Sequence, residues 1–112
     1  MESIAALRAY FQSGATKTIE WRLSQLKAIH DLLVNHEQEL ADAVHKDLGK
    51  CHRETYIFEV LQLKNDLSLF AKNLKKWMAP ESVAGQGLMT ILDSCQVRRE
   101  PFGLVLVIGA WN

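Results

Sequence analysis

Glu100-Pro101-Phe102-Gly103-Leu104-Val105-Leu106-Val107-Ile108-Gly109-Ala110-Trp111-Asn112 is the stretch that decides the fold. Leu104 to Ile108 are branched aliphatic residues in a row, without the polar alternation of a strand that has one wet face. A run of this kind describes a strand buried on both faces, and such strands belong mainly to parallel sheets covered by helices. The apolar stretch from Phe102 to Trp111 has ten residues. A helix that spans a bilayer needs about 20, so no membrane span is read here. A doubly covered strand also needs neighbours on both sides. The rest of the sequence offers one hairpin and several helices, too little to close such a sheet. The expectation is an α/β chain that stops just after the first strand of a larger domain.

Upstream of Glu100, Leu88-Met89-Thr90-Ile91-Leu92 and Cys95-Gln96-Val97-Arg98-Arg99 read as short strands. Asp93-Ser94 between them is a tight turn, which predicts a β-hairpin. Glu81 to Gly87 is read as a loop of small and polar residues, and Pro80 as the stop of a helix. That helix has the clearest periodicity of the chain. Tyr56, Val60, Leu63, Leu67, Phe70, Leu74 and Trp77 step alternately by four and three, which places them on one stripe. Lys72, Lys75 and Lys76 stand near its C-terminus, where cations suit the helix dipole. A 3.5-residue repeat also fits a coiled coil. The stripe covers only about three heptads, so a long helix packed on a globular domain is the preferred reading.

The first half of the chain predicts three further helices. Ser3 is placed as the N-cap of the first, with Ile4, Leu7, Tyr10 and Phe11 on one face and Gly14 as its stop. The second starts at Thr18 with Glu20 in its first turn and carries Ile19, Leu23, Leu26, Ile29 and Leu33. Asn35 and Gln38 resemble a capping box that opens a third helix through Leu40, Val44 and Leu48 to Gly49.

Composition narrows the function classes. Thirteen basic residues balance thirteen acidic ones, which gives no electrostatic reason to expect nucleic acid or an anionic membrane as partner. Met1-Glu2-Ser3-Ile4 carries an acid where a secretory signal carries basic residues. Cys51 and Cys95 are too few for a disulfide framework. Reduced thiols in an intracellular protein are the simpler reading, with a single bridge left open. His30, His36, His45 and His52 include no i, i+4 pair, and no C-x-x-C is present, so they are read as surface or capping residues and no metal is expected. Gly85-Gln86-Gly87 has no strand before it and no helix after it, which makes it a linker rather than a phosphate loop. Arg98-Arg99 is read as a solvated strand face.

The segment from Glu100 to Asn112 resembles the aldehyde dehydrogenase pattern E-P-x-G-V-V-x-x-I-x-x-W-N, which opens the cofactor-binding domain of that family. It is most similar to the class 3, fatty-aldehyde branch, whose members carry E-P-x-G-V-V-L-V-I-G-x-W-N. Arg22, Gln25, Leu26 and Ala28, and Asp47-Leu48-Gly49-Lys50, resemble upstream stretches of the same family. The resemblance covers essentially all of the chain and about a quarter of a full-length member. The fold it implies is α/β. Residues 1–80 would be the N-terminal helical part, and 81–101 a linker and β-hairpin that contributes to oligomerisation. Residues 102–112 would be the truncated first strand of a Rossmann-like cofactor domain.

The resemblance also implies chemistry. In the family a cysteine thiolate attacks the aldehyde carbonyl, a hydride passes to NAD or NADP, and water hydrolyses the resulting thioester. Asn112 would donate its amide N–H to the oxyanion of the first adduct, as oxyanion-hole donors do. Ile108, Gly109, Ala110 and Trp111 would lie along the cofactor cleft at the C-terminal end of the strand. The family's nucleophilic cysteine, general-base glutamate and Gly-rich loop fall beyond position 112, and neither Cys51 nor Cys95 has the nucleophile's context. The expectation is therefore an inactive chain from a homodimeric, cytoplasmic parent that oxidises medium- to long-chain or aromatic aldehydes. Any membrane attachment would come from a C-terminal tail. The alternative is a truncated, non-catalytic isoform acting as a helical dimerisation module.

Overall fold

The computed structural model describes residues 2–83 and 94–109. The chain divides into two compact units, Ile19–Leu74 on the one hand and Met1–Thr18 with Lys75–Asn112 on the other.

The first of these units is helical. α2 (Ile19–Asn35) follows Thr18, whose backbone is extended, and has Glu20 in its first turn as expected. α3 (Glu37–Leu48) follows almost without interruption. The capping box expected at Asn35 does not form, because Asn35 is still the last residue of α2 and His36 stands at the junction. The His36 N–H donates to the Leu32 carbonyl, and its own carbonyl accepts from the Leu40 N–H, both at 3.0 Å. Continuous backbone bonding leaves little for a capping side chain to satisfy. Gly49 ends α3 in a left-handed conformation (φ +68°) with its N–H on the His45 carbonyl at 2.8 Å, as the sequence predicts.

The next helix starts earlier than its periodicity suggests. α4 (His52–Thr55) runs through a π-helical turn (Tyr56–Val60) into α5 (Leu61–Met78). The Leu61 N–H reaches back five residues to the Tyr56 carbonyl, which accommodates one extra residue per turn. The residue pattern does not signal this insertion, because the stripe begins inside the turn, at Tyr56, and its spacing looks regular from there on. Val60 and Leu67 are buried with Leu33 of α2, and Leu26, Leu40 and Tyr56 pack around them. Of the stripe, Tyr56, Val60 and Leu67 are thus used against neighbouring helices of the same unit, while Leu63, Phe70 and Trp77 are exposed. Two part-buried ion pairs brace this packing, Lys64 to Glu37 at 3.0 Å and Lys50 to Glu59 at 2.9 Å.

In the other unit, α1 (Glu2–Gln12) starts before Ser3, so Ser3 lies inside the helix and is not its N-cap. Gly14 ends it as expected, at φ +79° and with its N–H on the Phe11 carbonyl. A short 3-10 turn (Ala15–Lys17) follows. After α5, β1 (Glu81–Val83) pairs antiparallel with β2 (Cys95–Val97), Ser82 lying opposite Gln96. β2 was expected from the sequence. β1 corrects the reading of Glu81 to Gly87 as loop. All of its residues are exposed, so no hydrophobic alternation marked it, and only its distant partner makes it a strand. The Leu88–Leu92 half of the expected hairpin lies outside the described residues. Arg99, read as part of a solvated strand face, lies just past β2 and reaches the Glu81 carboxylate at 2.9 Å. Helices with a β ladder are the α/β content anticipated. Among the described residues, no helix is long and apolar enough to cross a membrane.

Candidate functional site

The segment from Glu100 to Gly109 is fastened at its start. Gly103 has φ +93°, a conformation that residues with a side chain rarely adopt. A Cβ there would stand 2.9 Å from Cδ1 and Cε1 of Phe11, at the end of α1. The ring is therefore seated on the glycine, and both the φ and the contact call for Gly at this point of the E-P-x-G motif. The Lys17 ammonium lies 5.6 Å from the centre of the same ring, within cation–π range, and 3.9 Å from the Glu100 carboxylate. α1 and the turn after it thus hold Glu100 and Gly103, the two ends of the motif. Sequence reasoning missed Phe11 and Lys17 because no spacing rule links residues so far apart in the chain.

Beyond Gly103 the aliphatic run belongs to neither helix nor strand. Leu106, Val107 and Ile108 are 84, 82 and 85% exposed. The physical reason is topological. A strand exists only by pairing, and among the described residues the pairing is that of β1 with β2. Among the sequence-predicted site residues, Ile108 and Gly109 are exposed, and among the described residues nothing but the chain neighbours lies within 4 Å of where a Cβ of Gly109 would be. Ala110, Trp111 and Asn112 lie outside the described residues.

A second polar cluster ties α3 to α4. The Gln38 amide N–H donates to Asp42 and to His52 Nδ1, both at 3.0 Å. His52 Nδ1 therefore accepts, and Nε2–H donates to Asp42 at 2.9 Å. His45 Nδ1 bonds the Lys50 carbonyl at 2.8 Å and meets His52 edge-on at 6.1 Å. The arrangement joins the end of one helix to the start of the next. Among the described residues, no group of three or more His, Cys, Asp and Glu side chains is placed to hold a metal ion. Both cysteines are free, Cys51 exposed ahead of α4 and Cys95 half-buried in β2. On α2 the hydrogen bond from Lys27 holds the Asp31 carboxyl below its ordinary value. Burial opposes this, and the charges of Lys27 and His30 add to it.

The chain belongs to the aldehyde dehydrogenase family, whose model matches residues 2–112 and so takes in both the glycine seat and the aliphatic run. Relatives it resembles include family 3 members. Aldehyde dehydrogenase family 3 member H1 of Arabidopsis thaliana is 44% identical over 97% of this chain and 22% of its own length. The chloroplastic family 3 member I1 of the same plant is 42% identical over 95% of this chain and 19% of its own length. Family 3 member B2 of Mus musculus is 39% identical over 98% of this chain and 23% of its own length. The chain thus spans about a fifth of the length of the curated relatives it matches.

Proposed function

We propose that this chain is the N-terminal part of an NAD(P)-dependent aldehyde dehydrogenase of the class 3 branch, and that Asn112 is its oxyanion donor. The match of the family over residues 2–112, through the whole Glu100–Asn112 motif, carries this reading. Residues 102–112 would then form the first strand of the cofactor domain. The exposure of Leu106 to Ile108 supports that assignment, because a strand destined for a doubly covered sheet is exposed when its neighbours are absent. Residues 1–80 would pack as the N-terminal helical part, and 81–101 would contribute to a homodimer interface.

A nicotinamide nucleotide would be held beside this segment. Among the described residues nothing but the chain neighbours lies within 4 Å of where a Cβ of Gly109 would stand, which would leave the backbone there open to its approach. Ile108, Gly109, Ala110 and Trp111 would line that approach. The bound nucleotide supplies a hydride acceptor. What this chain supplies is the Asn112 amide, whose N–H would meet negative charge growing on the aldehyde oxygen as a thiolate adds to its carbon. A donor aimed at developing charge stabilises the transition state more than the ground state. The thiolate and the general base would come from later residues of the parent, which acts on aldehydes in the cytoplasm or at a membrane reached through a C-terminal tail.

The test is aldehyde-dependent NAD(P)H formation by the full-length protein and its Asn112→Ala variant. The expected loss in kcat is about 10²–10³. The 112-residue chain alone is expected to form none, and turnover by it would contradict the assignment of nucleophile and base to later residues. A second reading, a non-catalytic dimerisation module, is favoured by the same exposed run, which could pair with a full-length subunit. Co-purification of the short chain with a full-length homologue supports it, and a monomeric, partner-free short chain speaks against it.

A further inference from the structure

A uniformly aliphatic strand has a register problem. Where one face is wet, a slip by one residue drives polar side chains into the core, and the pattern itself fixes the pairing. Leu104 to Ile108 is apolar on both faces, so slipping it along a sheet changes little in what is buried. Something outside the run has to fix how far it reaches. The described residues hold one such device. Gly103 sits under the Phe11 ring with φ +93°, and its neighbours Phe102 and Leu104 both carry large side chains. A slip by one position would bring one of those side chains onto the ring. Glu100, three residues earlier, is held by Lys17, whose ammonium also faces the ring.

The geometry points to Phe11 as a positioning residue: its ring, seated on Gly103, sets the register of the 104–108 run and so fixes how far along the strand Asn112 is carried. This rests on the oxyanion-donor reading above. Phe11 touches no reacting atom and acts through Asn112. A misplacement of about 1 Å at a catalytic group can cost about a hundredfold in rate, so the effect belongs in kcat.

The test uses the full-length protein with Phe11→Ala, Phe11→Leu, Asn112→Ala and the pair Phe11→Ala/Asn112→Ala. Phe11→Leu keeps bulk and helix propensity but removes the ring, and it stands in should Phe11→Ala fail to fold. Either single change at Phe11 is expected to lower kcat about ten- to a hundredfold, with rescue by Phe11→Tyr. On the Asn112→Ala background, loss of the ring is expected to cost nothing further, because the group it positions is already gone. A merely structural role would lower kcat on both backgrounds alike, which overturns the inference. An unchanged kcat in both Phe11 single variants, with Asn112→Ala impaired, also overturns it and leaves the donor reading standing. An unimpaired Asn112→Ala removes the donor reading and this inference together.

Discussion

At the scale of single residues, two side-chain environments give opposite expectations. Gly103 combines a positive φ with a ring in the place of its missing Cβ, so Gly103→Ala adds backbone strain and unseats Phe11. A loss of about 1–3 kcal/mol is expected from the strain, read as a lower urea midpoint. Gly109→Ala is the control, since open space surrounds that position, and a change within about 0.5 kcal/mol is expected. Equal effects at the two glycines would remove the special status of Gly103. Thr55 is the converse case. It is 1% exposed and its hydroxyl finds no hydrogen-bond partner among the described residues. A buried hydroxyl without a partner costs desolvation and returns nothing. Thr55→Val keeps the shape, and stability is expected to hold or to rise by about 1 kcal/mol. A clear loss would reveal a bound water or another acceptor at that hydroxyl.

At the scale of elements, punctuation was legible and insertions were not. Gly14, Gly49 and Pro80 end helices where the sequence says they should, because a positive φ or a missing N–H is a property of the residue itself. Ser3 and Asn35 misled for a related reason. Capping is a property of a position, and the helix boundary that defines the position shifted by a residue or two. The π-helical turn at Tyr56–Val60 and the strand Glu81–Val83 depend on packing and pairing with distant residues, which no local pattern records. The Phe11–Gly103 seat is the same kind of fact. The motif residues Glu100 to Gly103 could be quoted from the sequence, but the partner that explains the glycine could not.

At the scale of the whole molecule, the aliphatic run dominates behaviour. Exposed, unpaired apolar segments template association with other chains. Removal of residues 104–112 is accordingly expected to raise the solubility of the 112-residue chain, measured as monomer recovered by gel filtration. No gain would mean that the run is already covered. The relatives that the chain matches are about five times its length.

Amide hydrogen exchange at Leu104 to Ile108, compared between the 112-residue chain and the full-length protein, addresses the strand assignment most directly. Exchange within seconds in the short chain and slow exchange in the full-length protein is the result predicted for a central strand that gains its neighbours. Fast exchange in both would contradict it, because a strand inside a covered parallel sheet cannot leave its backbone N–H groups open to water.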